Sequence, residues 1–267
     1  MRKNVRFKYC AGELVEIMIS NLCIFEDEPF SDSDSKASSK PQEERKAEQG
    51  EIACEDEKKR DGRRRASKRV YDLVRSNPDL DLFCTFTLDQ TKIDRYDYKA
   101  IVKKLNNFLD NHVRRDGLKY VLVAERHKDG AIHFHALMNK ALKMVDSGKT
   151  DKGGHKIFNL PQWGLGFTTA IVTYGNRDSV CKYITKYITK SDEKVGGRWY
   201  YHGGKLDEPT YEYDTYVLRT ADELEQAAQT LGEIAAMTDK ERFGRAYVYE
   251  PDLRPGLRIA IMQRQGG

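Results

Sequence analysis

The chain is poor in cysteine and proline and has no long apolar run. Its 267 residues include 5 cysteines and 7 prolines. The cysteines (Cys10, Cys23, Cys54, Cys84 and Cys181) are scattered and odd in number, with no C-x-x-C. That pattern excludes a disulfide framework and a cysteine-built zinc knuckle, and it fits a reducing cytoplasm. The one N-terminal apolar stretch, residues 14–25, is short, is interrupted by Glu16 and ends without a small-residue cleavage site. Neither a signal peptide nor a membrane span is expected. No internal repeat and no G-x-x-x-x-G-K-[ST] occur, so no P-loop motor is expected.

The sequence contains two kinds of material. A hydrophobic fraction of 39% beside a charged fraction of 33% describes a sizeable core with a very polar remainder. The net charge is only +4, so any case for an acidic partner rests on where the charges sit. Residues 26–57 are rich in Ser, Asp, Glu, Lys and Gln and too poor in aliphatics to offset the entropy of ordering, so disorder is expected there. Residues 58–69 then turn basic, through Lys58-Lys-Arg60 and Arg63-Arg-Arg-Ala-Ser-Lys-Arg69. They read as a charged helix, a phosphate-binding arm, or both. The expected organisation is an N-terminal extension over 1–79, a catalytic domain over 80–205, and a helical C-terminal extension over 206–267.

From residue 80 the patterning is globular. Leu82-Phe-Cys-Thr-Phe-Thr-Leu88 is aromatic and β-branched and predicts a buried strand. Residues 94–115 carry apolar side chains at helical spacing. Residues 120–124 and 131–138 read as a hairpin around Lys128-Asp-Gly130. Residues 143–155 read as a polar, Gly-rich loop, and 166–173 as a fourth strand. Residues 176–190 predict a helix capped by Asn176 or Asp178. Residues 198–201 are a candidate edge strand, and 221–237 an Ala- and Glu-rich helix. The order predicts an α+β fold, an antiparallel sheet with helices on one face, ferredoxin-like or RNA-recognition-like in plan.

Two histidines, His133 and His135, flank Phe134 on one of these strands. Side chains alternate faces along a strand, so the imidazoles share one side and could chelate one ion. The apolar set Ile132, Phe134 and Ala136 suits a helix-covered side, which leaves the histidines on the open one. Glu125 is the candidate third ligand. With a three-residue loop and Gly130 at positive φ, Glu125 falls opposite His133 on the same face. A two-residue loop would put it opposite Phe134 and on the wrong face. A His₂Glu set suits Mg²⁺ or Mn²⁺ bound with a phosphate oxygen, and zinc is possible by ligand type.

The segment Tyr183-Ile-Thr-Lys-Tyr187-Ile-Thr-Lys190 sets two phenols on one helical stripe, with Lys186 and Lys190 on an adjacent one. Ordinary packing accounts for a lone tyrosine, but not so readily for a doubled Tyr-Ile-Thr-Lys. A phenol is a weak nucleophile at neutral pH, since its unperturbed pKa is about 10. A metal at the scissile phosphate and a nearby ammonium would both lower the barrier to its attack.

These segments resemble a known family. Phe83-Cys-Thr-Phe-Thr-Leu88, His133-Phe-His135 and the doubled Tyr-Ile-Thr-Lys look like the three motifs of HUH endonucleases. Within that superfamily they resemble the rolling-circle replication initiators of single-stranded DNA phages, prophages and plasmids, in the two-tyrosine form. The resemblance covers about residues 80–204. It implies a divalent metal on Glu125, His133 and His135. It also implies tyrosine attack leaving a 5′-phosphotyrosine and a free 3′-OH, with the second tyrosine serving termination or strand transfer. The motif's lysine maps to Lys190 if Tyr187 leads and to Lys186 if Tyr183 leads. Implied partners are single-stranded or extruded origin DNA, a host helicase and a polymerase.

For DNA contact, the candidate phosphate partners are Arg63, Arg64, Arg65, Lys103, Lys104, Arg126 and Lys128, with Arg114, Arg115 and Lys119 nearby. Trp163, Phe167, Trp199, Tyr200 and Tyr201 are the candidates for stacking on unpaired bases, with most of them expected in the core. A non-enzymatic RNA-recognition-like binder would share the sheet and the aromatics but would need neither a metal nor the paired tyrosines. A small transposase or relaxase of the same chemistry is the other alternative.

Overall fold

The computed structural model describes residues 3–20, 47–127, 129–173, 177–191, 193–214, 243–249 and 258–263. Its helices are α1 (Ala47–Ser76), α2 (Tyr98–Asp116) and α3 (Arg177–Lys190). Its strands are β1 (Val5–Cys10), β2 (Glu13–Ser20), β3 (Leu82–Leu88), β4 (Tyr120–Arg126), β5 (Ile132–Met138) and β6 (Val145–Thr150), followed by β7 (Lys156–Asn159), β8 (Gly166–Val172), β9 (Tyr201–Gly203), β10 (Thr210–Asp214), β11 (Phe243–Tyr249) and β12 (Arg258–Gln263). Contacts divide the chain into two compact units, residues 51–208 and residues 1–50 with 209–267. The sequence boundaries at 79/80 and 205/206 are not those of the compact units. Among the described residues, no helix is long and apolar enough to cross a membrane.

The smaller unit is an antiparallel sheet in the order β10-β1-β2-β12-β11. A two-residue turn at Ala11 and Gly12, both at positive φ, joins β1 to β2. The buried carboxylate of Glu16 lies 2.9 Å from Arg6 Nη2 and 3.6 Å from Lys8 Nζ. The expected helix over 221–237 lies outside the described residues, and within the C-terminal extension 243–249 and 258–263 are strands.

The larger unit is α+β, as the patterning predicts. Its seven-stranded antiparallel sheet runs β6-β7-β8-β3-β5-β4-β9. The alternation of β3, β4 and β5 sends Cys84, Phe86, Leu122, Ala124, Phe134 and Ala136 to one face, where α2 closes the core with Ile101, Leu105 and Leu109. Helix α2 begins one turn later than the apolar spacing suggests. The Asp97 side chain accepts from the backbone N–H groups of Lys99 and Ala100, and Gly117 ends the helix at φ 68°.

The other face is not bare. Val121, Val123 and Leu137 form a second core with Ala66, Val70, Leu73 and Val74 of α1 and with Cys181, Ile184 and Ile188 of α3. Helices therefore cover both faces, where the sequence reading placed them on one. The basic segment 58–69 is helical and continues into an apolar stripe at 3.6-residue spacing that anchors it to the sheet. Of the stretch expected to be disordered, residues 26–46 lie outside the described residues, and the structure is helical from Ala47.

Two further elements differ from expectation. Residues 145–150 and 156–159 pair as strands where a loop is expected. Both are short, and β6 is exposed nearly throughout, so no apolar alternation marks it. The candidate edge strand at 198–201 becomes β9 at Tyr201–Gly203, pairing with β4, while Arg198 makes only an isolated bridge to Val195.

Gly166 fixes how β8 enters the sheet. A Cβ there would lie 2.1 Å from the Thr87 carbonyl oxygen and 2.8 Å from the Asp89 nitrogen, both backbone atoms that cannot swing aside. Gly166→Ala is expected to cost about 1–3 kcal/mol, read as a lower urea midpoint at unchanged slope. An unaltered midpoint would show that β8 shifts freely.

Candidate active site

The hairpin register brings the candidate ligands together. Glu125 stands opposite His133, and Val123 opposite His135. His127 N–H donates to the Ala131 carbonyl, and Gly130 takes φ 85°. This is the register of the three-residue loop. On the other side of β5, Thr87 stands opposite His133 and Thr85 opposite His135, and β8 continues the rows with Phe167 and Thr169. Two rows thus cross one face of the sheet: Phe167, Thr87, His133, Glu125, and Thr169, Thr85, His135, Val123.

His135 is the centre of the cluster. Its Nε2 lies 2.8 Å from Glu125 Oε2 and its Nδ1 3.3 Å from Thr85 Oγ1. The Tyr187 ring stacks on it at 3.8 Å and 14°. The Tyr187 hydroxyl donates to that of Tyr183 at 2.9 Å. Phe83 packs edge-on to Tyr183 at 4.9 Å. Helix α3 achieves this because Cys181, Ile184 and Ile188 point into the second core, which turns the stripe of Tyr183 and Tyr187 towards β5. Tyr187 is half-buried, whereas Tyr183 is 46% exposed.

The remaining candidates divide. Lys186 is exposed, with Nζ 5.9 Å from the centre of the Tyr183 ring, and Lys190 is exposed in the last turn of α3. Arg63 donates to the Ser191 carbonyl just past the end of α3, while Arg64 and Arg65 are exposed on α1. Lys103 and Lys104 are exposed on α2, the helix behind the sheet, so they are not gathered with the histidines. Arg126 is exposed at the end of β4, and Lys128 and the proposed caps Asn176 and Asp178 have no described side chains. Sequence reasoning missed His127, whose ring lies 4.1 Å from that of His133. Its position two residues after Glu125 on the same strand was the available signal. Thr85 and Phe83 were likewise read only as strand residues.

Burial is the main influence on the titrating groups. It lowers the pKa of His133, with His127 and His135 adding repulsion. It also lowers that of His135, against the opposing pull of Glu125. Burial, Tyr183 and then Glu125 raise that of Tyr187. Both histidines are therefore held towards the neutral form that a metal ligand requires. An imidazole harder to protonate when folded than when unfolded makes the unfolded chain bind more protons between the two values. Stability is then expected to be flat above the unperturbed value of about 6.5 and to fall as pH drops below it. Thermal unfolding in chelator from pH 8 to 5.5 reads this directly. A melting temperature that rises on acidification through that window would contradict it.

The donors suit a divalent ion. Among the described residues, no three His, Cys, Asp or Glu side chains form a ready-made metal cluster. Yet the 2.8 Å between His135 Nε2 and Glu125 Oε2 is close to the spacing of about 3 Å between adjacent ligands on an octahedral ion. Thr85 stands behind Nδ1, where an outer hydrogen bond would orient the ring. His133 offers a third donor from the same face.

The fold and the cluster have a counterpart among known families. Residues 81–192 match the replication-associated protein family of the ORF2 and gene-2-protein type. The match spans β3 to the end of α3, and so every residue of the cluster. It supports a role in replication initiation and an interaction with DNA. No curated protein matches the chain.

Proposed function

We propose that the protein is a replication initiator that nicks and rejoins single-stranded origin DNA through a tyrosine. The observation that carries this reading is the Tyr187 ring stacked 3.8 Å from His135, with Tyr183 hydrogen-bonded to its hydroxyl. A packing tyrosine needs no such neighbour, but a nucleophile must lie beside the group that holds the phosphate.

Glu125, His133 and His135 would hold Mg²⁺ or Mn²⁺, which supplies Lewis acidity at the scissile phosphate. In the chain's own chemistry, a tyrosine oxygen attacks phosphorus, the bond to the 3′-oxygen breaks, and the phenolic proton is balanced by protonation of the departing oxygen. The products are a 5′-phosphotyrosine and a free 3′-OH, and reversal of the step rejoins the strand. Tyr183 makes the first cut in this scheme. It is the more exposed of the two and its oxygen accepts the Tyr187 proton, whereas burial and Glu125 oppose ionisation of Tyr187. Lys186 then stands nearest to the attacking ring. Unwinding and synthesis fall to a host helicase and polymerase.

The test is incubation with labelled single-stranded origin DNA and Mn²⁺. A covalent protein–DNA band that resists denaturation is expected. DNA binding without such a band leaves the non-catalytic binder as the reading.

A further inference from the structure

Of the five aromatics read from the sequence as base-stacking candidates, the structure leaves one on an open surface beside the cluster. Trp163 and Tyr201 are each 3% exposed, and Trp199 and Tyr200 pack against the second core. Phe167 is 67% exposed, the most exposed of the large hydrophobic side chains. Strand alternation explains why. Thr168 and Ala170 turn inwards, so Phe167 and Thr169 emerge on the face that carries Thr85, Thr87, His133 and His135.

The surroundings of Phe167 point to an occupant. Helix α3 lies over β4 and β5, and α1 packs on Val121, Val123 and Leu137. The β8–β3 side of the same face keeps Thr169 exposed and Thr85 and Thr87 half-exposed. Phe167 shares its cross-strand row with His133, two strand spacings or about 10 Å away. The lane between them is lined by the small hydroxyls of Thr85, Thr87 and Thr169, which can hydrogen-bond without filling it. A flat apolar ring at the end of a narrow polar lane, which itself runs into a candidate phosphate-cleaving site, suits the face of an unpaired base on the strand being cut.

We propose that Phe167 is the stacking platform for a base flanking the scissile phosphate, and that this lane carries the single strand into the site. The proposal rests on the nicking reading for the position of the phosphate, but the stacking itself is measurable without cutting.

The test compares binding of two probes in EDTA, a dT12 oligonucleotide and a twelve-unit abasic strand with the same phosphates. Phe167→Ala is expected to weaken dT12 by about 5- to 100-fold, the range for loss of one base–aromatic stack. Affinity for the abasic strand should stay unchanged, and Phe167→Trp should restore dT12 binding. Equal affinity of wild type and Phe167→Ala for dT12 overturns the proposal. So does an equal loss on both probes, which would mean a backbone or folding defect. A changed oligomeric state with intact dT12 binding overturns it too, since Phe167 would then serve a second copy of the chain. The Mn²⁺-dependent covalent band, followed in parallel on the unaltered protein, tests the nicking reading separately. Selective loss on dT12 supports the platform whether or not that band forms.

Discussion

Replacing both Tyr183 and Tyr187 with phenylalanine is expected to abolish the covalent protein–DNA band, while metal-free binding of single-stranded DNA changes little. Phenylalanine keeps the ring over His135 and the edge contact with Phe83 and removes only the nucleophilic oxygen. The single changes should differ. Tyr183→Phe removes the exposed oxygen that accepts from Tyr187, so first-cut rates should fall at least tenfold below those of Tyr187→Phe. Tyr187→Phe should still nick but fail in transfer to a second strand, because the resident 5′-phosphotyrosine then has no second phenol to exchange with. Gel assays of nicking and of strand transfer separate the two. A double variant that still forms the adduct places the nucleophile elsewhere. If either single variant completes strand transfer at the wild-type rate, the paired use of the tyrosines fails.

The parts of the site that were legible in the sequence are those set by strand alternation and helical spacing. Period two aligned His133 with His135, and the positive-φ glycine after Asp129 fixed the three-residue loop that puts Glu125 opposite His133. Period 3.6 aligned Tyr183 with Tyr187. What stayed hidden was the placement of α3. The helix could have packed on either face of the sheet, and the choice depends on Val121, Val123 and Leu137 being apolar on the same face as the histidines. Read strand by strand, those residues look like ordinary strand interior. Placing α1 and α3 over half of that face turns an open metal-binding surface into a cleft with a phenol stacked on an imidazole. His127 was missed because the hairpin was read for its turn and not for the alternation running through its last paired residue. The smaller sheet was illegible for another reason. Strand β1 pairs with β10, about two hundred residues away, and no local pattern encodes so distant a partner.

Substituting His135 with alanine is expected to reduce Mn²⁺-dependent nicking by at least about a hundredfold, because the scissile phosphate loses its Lewis acid. The substitution also removes a side chain on which Tyr187 stacks, so lost activity alone would not prove ligation. Calorimetric Mn²⁺ binding supplies the second readout. His135→Ala and His133→Ala should both weaken it, and Glu125→Gln should do the same while keeping a hydrogen-bonding group beside His135. Thr85→Val should have a smaller effect, about 10- to 100-fold in metal affinity, since the hydroxyl 3.3 Å from Nδ1 orients the ring without contacting the ion. DNA binding in chelator should be nearly unaffected in all four, because phosphate contacts from lysine and arginine do not pass through these side chains. Full nicking in EDTA would remove the metal from the mechanism. Undiminished Mn²⁺ affinity in Glu125→Gln would leave the carboxylate as the hydrogen-bond partner that holds His135 and no more, with His127, 4.1 Å from His133 ring to ring, the next donor to test.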